Sequence, residues 1–242
     1  MDSLIALAFG WLWVIPILLV VFFWKFFLRL FGIWLIPEDS IGVVEKKFVL
    51  FGKNKALPDG RIVALQGEAG LQADTLPPGL KFFLWPWQFR VTIVTFTVIP
   101  QGKVGIVEAN DGNAIPAGRI LAGKVECDTF QDARKFLANG GERGTQIAIM
   151  PPGVYRVNTQ LFAVELVNAV SIPDNTVGVV TTKEGRSLET GEIAGKKIAG
   201  HNSFQDGHGF VEGGGFKGQQ EEVILAGTYY LNPRFVAVES VP

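Results

Sequence analysis

"FQDARKFLANGGERGTQ" (Phe130–Gln146) returns as "FQDGHGFVEGGGFKGQQ" (Phe204–Gln220), identical at eight of seventeen positions and displaced by 74 residues. Taken alone, the stretch reads as a ligand loop, with a short helical pattern, paired glycines and several charges. Its flanks decide otherwise. "PPGVYRVNTQLFAVELV" from Pro151 aligns with "LAGTYYLNPRFVAVESV" from Leu225, and Gly153/Gly227, Tyr155/Tyr229, Asn158/Asn232 and Glu165/Glu239 keep the same spacing. An offset held over about 38 positions marks the duplication of a structural unit. What the copies share is hydrophobic or turn-forming, and what differs between them is charge. Catalytic constraint would keep the polar chemistry instead.

A third, shorter copy lies upstream. "IPEDSIGVVEKK" (Ile36), "IPQGKVGIVEAN" (Ile99) and "IPDNTVGVVTTK" (Ile172) open three segments. A Gly-Arg pair follows in each, Gly60-Arg61, Gly118-Arg119 and Gly185-Arg186, and each closes on a glycine turn into an apolar run. Proline presets the turn and removes a backbone donor where pairing stops. The β-branched "IGVV", "VGIV" and "VGVV" read as short buried strands. The spacing therefore predicts a mainly β chain of small α+β modules in tandem, over residues 36–98, 99–171 and 172–242. A short helix is expected in the second, with Asp128 or Thr129 as N-cap and Gly140-Gly141 ending it. Gly207 and Gly209 are expected to weaken its counterpart in the third. Pro242 falls where another Ile-Pro would begin, which predicts a longer protein.

Residues 1–35 differ in kind. "SLIALAFGWLWVIPILLVVFFW" (Ser3–Trp24) carries no charge. As a helix it reaches about 33 Å, enough for a bilayer core. A cleaved signal peptide would want a basic start and a small-residue cleavage site, and neither is present. Lys25 and Arg29 follow, four apart among aromatics, as an interfacial helix whose cations snorkel toward headgroups. This reading puts Trp11, Trp13, Trp24, Lys25, Arg29 and Trp34 in contact with membrane lipids. The cations lie downstream of the span, so the positive-inside rule predicts a single-pass protein of the cell's inner membrane with its modules in the cytoplasm.

A second membrane contact is suggested by "KFFLWPWQF" (Lys81–Phe89). Phe82, Phe83, Leu84, Trp85, Trp87 and Phe89 carry more aromatic surface than a short turn needs, and Trp suits interfacial depth. A core strand against a neighbouring module is the alternative, which Pro86 disfavours.

Other candidates carry little. A formal net charge of −1 argues against nucleic acid as a partner. The single cysteine, Cys127, excludes an internal disulfide and a cysteine-based zinc site, and reads as an inert buried thiol. "GRILAGK" (Gly118–Lys124) fits the phosphate-loop spacing, but Val125 stands where Mg²⁺ needs a hydroxyl. "GGGFKG" (Gly213–Gly218) reads as a structural turn, because "NGGERG" is its counterpart. His201 and His208 are the only histidines and lack convergent ligands for a metal. No catalytic, cofactor or metal residues are assigned, and no enzyme is expected.

The membrane helix, the repeated "IPxxxVGVV" openings, "LPPGL" with its aromatic run and "FQDxxxFxxGGxxGxQ" together resemble bacterial flotillin-like proteins. These belong to the stomatin–prohibitin–flotillin (SPFH, band 7) superfamily, and the resemblance covers residues 36–242. It implies a membrane-anchored, non-catalytic scaffold that assembles into a large homo-oligomeric ring or cage and organises local lipid and protein composition. It also implies that the aromatic loop of the first module dips into the membrane. The alternative it leaves open is a tethered adaptor that regulates a membrane protease or other membrane-protein partner. The chain departs from the family pattern in having no heptad run.

Overall fold

A computed structural model describes residues 14, 16–50 and 56–242. The chain is mainly β. Each "Ile-Pro" motif ends a short strand, turns, and starts a longer one. Ser40, Lys103 and Thr176 N–H groups donate to the carbonyls of Pro37, Pro100 and Pro173, closing the three turns.

In the first sheet, β2 (Ser40–Lys46) lies between β4 (Gly70–Leu76) and β6 (Phe89–Thr95), with β3 (Val63–Ala64) parallel to β4 on its outside. In the second, β8 (Lys103–Ala109) lies between β9 (Gly144–Met150) and β11 (Phe162–Asn168). In the third, β13 (Val177–Thr182) lies between β14 (Gly218–Gln219) and β16 (Val236–Val241). A two-stranded ribbon accompanies each sheet: β1 (Trp34–Ile36) with β5 (Gly79–Lys81), β7 (Thr97–Ile99) with β10 (Gly153–Tyr155), and β12 (Val170–Ile172) with β15 (Gly227–Tyr229). The first two sheets break register at one matching place, between Val43 and Glu45 and between Ile106 and Glu108. A bulge at such a place bends the strand and raises its twist.

The duplicated "FQD" block forms α2 (Ala133–Ala138) and α3 (Gly207–Glu212). Neither Asp128 nor Thr129 caps α2. Its N-cap is Asp132, whose carboxylate accepts from the Lys135 N–H at 2.8 Å, and Asp206 does the same for Gly209 at 3.0 Å. Asp128, Thr129 and Phe130 instead form a left-handed turn, with φ of 52°, 51° and 62°. Asn202, Ser203 and Phe204 repeat it at 47°, 51° and 62°. Such backbone costs about 1–2 kcal/mol per residue, and here it drives Phe130 and Phe204 into the core. Phe130 meets Phe136 and Phe162, and Phe204 meets Phe210, with Phe235 behind. That packing and the Asp206 cap hold α3 at the same length as α2 despite Gly207 and Gly209.

The Gly-Arg pairs need a correction. Parallel bridges Ala64↔Gln72, Ala122↔Gln146 and Gly195↔Gln220 make Gly60-Arg61, Gly118-Arg119 and Gly191-Glu192 the equivalent positions. Gly185 instead corresponds to Gly112, since both approach a backbone carbonyl (Gly215 and Gly141) so closely that a Cβ would lie 2.5 Å from it.

The sheets are joined by one set of contacts used twice. Asn158 donates its amide to the Gln72 and Ala73 carbonyls at 3.1 and 3.0 Å. Asn232 donates to the Gln146 and Ile147 carbonyls at 3.0 and 3.1 Å. Asp111 accepts from the Ile62 and Val63 N–H groups, both at 2.8 Å, and Glu184 accepts from Leu121 N–H at 3.0 Å and Arg119 Nε at 3.2 Å. Val63 and Ala73 of the first sheet complete the core of the second, and Leu121 and Ile147 of the second complete the core of the third.

The N-terminal helix α1 spans Trp24–Leu30, and residues 16–22 are helical as well. Among the described residues no helix is long and apolar enough to cross a membrane. Much of the expected span, including Trp11 and Trp13, lies outside the described residues.

Candidate membrane-contact surface

In the second and third sheets, the loop before the last strand presents an asparagine to the sheet before it. Among the described residues the first sheet has no sheet before it. Trp85 stands in the place of that asparagine: Phe89 N–H closes onto the Trp85 carbonyl at 2.8 Å as Phe162 closes onto Asn158 and Val236 onto Asn232. The end of α1 covers this face instead. Gly32, at φ +73°, brings the chain so close that a Cβ there would lie 3.2 Å from the Trp85 ring, and its carbonyl accepts from Leu84 N–H at 3.0 Å. Trp34 Nε1 donates to the Leu84 carbonyl at 3.0 Å.

The residues that composition places together are divided by this packing. Trp34 is 9% exposed and forms the small core with Val44 and Val91, so it belongs to the interior rather than the surface. Leu84 and Phe89 pack against that core and are half-buried, as is Trp85. Phe82, Phe83 and Trp87 face out, at 55%, 79% and 51% exposure. Phe83 holds φ +65°, a strained position for a bulky residue. Phe48 packs beside Trp87 with ring centroids 5.8 Å apart.

α1 carries exposed apolar residues of its own. Trp24, Phe26, Leu30 and Phe31 are exposed along it. So are Leu35 and Leu80, which face each other across the β1–β5 ribbon. Isolated exposed apolar residues need no explanation, whereas several exposed together make this region the candidate for contact with an apolar partner. The cations stand among the rings. Lys25 Nζ lies 5.9 Å from the Trp24 ring centroid, and the Arg29 guanidinium 4.8 Å from that of Trp34.

The glycine loops are occupied by protein. Gly123 N–H of the phosphate-loop pattern donates to Glu142 Oε2 at 2.7 Å, while Leu121 N–H and Arg119 are held by Glu184. Carboxylates fill the cradle a phosphate would need. Gly141 and Gly215 are glycines because a Cβ would lie 2.5 and 2.3 Å from the Phe136 and Phe210 rings. His201 is a structural residue, taking the Phe204 N–H on Nδ1 at 2.9 Å and placing Nε2 3.0 Å from the Ile198 carbonyl. His208 pairs with Glu212 at 3.2 Å. Cys127 holds the position matching His201, and burial pushes its thiol pKa up. No group of three His, Cys, Asp or Glu side chains could hold a metal among the described residues.

Sequence reasoning missed the inter-sheet contacts. The 74-residue spacing of Asn158 and Asn232 was visible, but nothing in it said that each side chain reaches back across 85 and 86 residues. No protein-family model matches the chain, and no curated protein matches it.

Proposed function

We propose that this protein is a membrane-anchored, oligomeric, non-catalytic scaffold of the flotillin-like type. Its N-terminal apolar run crosses the membrane once, and three consecutive modules stand on the cytoplasmic side. The observation that carries this reading is the position of the exposed aromatic surface. Phe82, Phe83 and Trp87 sit at the end of the sheet series that also bears α1, so anchor and apolar loop meet one bilayer. The contacts shared between successive sheets tie each one to the next, as a unit that assembles would need.

The test is gentle extraction of the full-length protein from its membrane, followed by mass determination and particle imaging. A homogeneous ring or cage of many copies is the expected result. A monomer in mild detergent would overturn the scaffold reading.

A further inference from the structure

A groove runs between α1 and the first sheet. Phe26, Leu30, Trp34 and Phe89 wall it, and Arg29, Lys47 and Arg90 are its charged lining, with no carboxylate among the lining residues. Arg90 is neutralised from outside the groove by Glu45 at 3.0 Å. Among the described residues the other two cations have only neutral partners: Arg29 lies over the Trp34 ring, and Lys47 Nζ donates to the Pro86 carbonyl at 2.7 Å. An apolar groove with two uncompensated cations is complementary to an anionic amphiphile. A guanidinium and an ammonium lining one groove match a phosphodiester, which offers several acceptor oxygens.

We infer that this groove binds the headgroup of an anionic phospholipid. Arg29 and Lys47 take the phosphate, and the acyl chains lie along the exposed faces of Phe26 and Leu30. The inference rests on the membrane reading above and adds a lipid class to it.

The molecule carries its own control. Lys183 Nζ donates to the Pro233 carbonyl at 2.7 Å, the same contact as Lys47 to Pro86, but in the third sheet, where no counterpart of α1 packs. Loss of a lysine–carbonyl bond is therefore common to Lys47→Gln and Lys183→Gln, while loss of a lipid contact is particular to the first.

The experiment is native mass spectrometry of the full chain in detergent, titrated separately with phosphatidylglycerol, phosphatidylcholine and inorganic phosphate. Phosphatidylglycerol is expected to bind about tenfold more tightly than phosphatidylcholine, which offers the same phosphodiester but adds a choline cation that Arg29 and Lys47 repel. Lys47→Gln should abolish that preference and Lys183→Gln should keep it. Equal binding of both lipids, or a preference that survives Lys47→Gln, would overturn the headgroup site while leaving membrane contact intact. Displacement of phosphatidylglycerol by inorganic phosphate alone would make it a soluble-anion site and overturn the lipid assignment. Binding of neither lipid would overturn the site and the membrane reading together.

Discussion

The Asn232 side chain is clamped to Ile147, 85 residues earlier: its amide donates to the Ile147 carbonyl at 3.1 Å from a position only 2% exposed. The same nitrogen also serves the Gln146 carbonyl, so one amide group satisfies two acceptors at a buried boundary. Asn232→Ala would leave both carbonyls without a donor where water has little access. We expect a loss of about 2–3 kcal/mol, read as a lower urea midpoint. A midpoint unchanged from the parent would mean the amide contributes nothing to joining the sheets.

Glu184 belongs to the same boundary and is 5% exposed. Glu184→Gln keeps the shape but removes the charge from its contacts with Leu121 N–H and Arg119. The expected cost is about 1–2 kcal/mol, since bonds to charged groups are stronger than neutral ones. Because the pair is shielded, the loss should persist at high salt. Unfolding curves at low and high ionic strength test both points, and a loss that vanishes in salt would place Glu184 in solvent.

Gly215→Ala sets a methyl 2.3 Å from the Phe210 ring. The ring is locked between Phe204 and Phe235, so it cannot retreat without disturbing the third core. A destabilisation of about 1–3 kcal/mol follows from overpacking. Gly60→Ala meets nothing within 4 Å, although its φ of +81° adds backbone strain. It should cost about 1 kcal/mol. Thermal melts of the two variants give the comparison, and equal losses would remove the steric argument.

The Cys127 thiol is raised in pKa chiefly by burial. Its folded pKa therefore exceeds its unfolded one. Its contribution to stability is complete below the ordinary thiol range and declines as the pH climbs past about 8.5, where the unfolded thiol ionises. Native protein at neutral pH should react slowly with a thiol reagent and quickly once unfolded. Rapid labelling of the folded chain would show the site to be open.

Phe83→Asn separates stability from surface function. The side chain is exposed and its φ is positive, a conformation asparagine tolerates better than phenylalanine. Stability should stay within about 0.5 kcal/mol of the parent or rise. Partition of the loop into bilayers, followed by quenching of tryptophan fluorescence by lipid-borne quenchers, should fall. Undiminished quenching would exclude Phe83 from the contact.

The mainly β character was readable because turn punctuation recurs along the chain. Ile-Pro, the β-branched run and the closing glycine put the strands in order. The Gly-Arg pairs misled, because Gly185-Arg186 repeats the letters of Gly118-Arg119 while the strand register assigns that place to Gly191-Glu192. The left-handed turns at Asp128–Phe130 and Asn202–Phe204 were invisible, since none of their three residues is a glycine, and backbone hydrogen bonds together with packing of the phenylalanines sustain them. The aromatic run stood out in sequence. That Trp34 would turn inward while Phe83 turned outward depended on where α1 ends, which no local pattern specified.

The sharing of core residues between sheets has a direction. Val63 and Ala73 are lent forward to the second core, and Leu121 and Ile147 forward to the third, whereas the first core draws its residues from its own sheet and flanks. A ribosome releases the lender before the borrower. Each sheet thus emerges to find its missing wall already standing, and the order of synthesis becomes the order of folding, starting from the first sheet. Truncation should be correspondingly lopsided: removing the last sheet leaves the earlier cores whole, while removing the first strips the second of part of its interior.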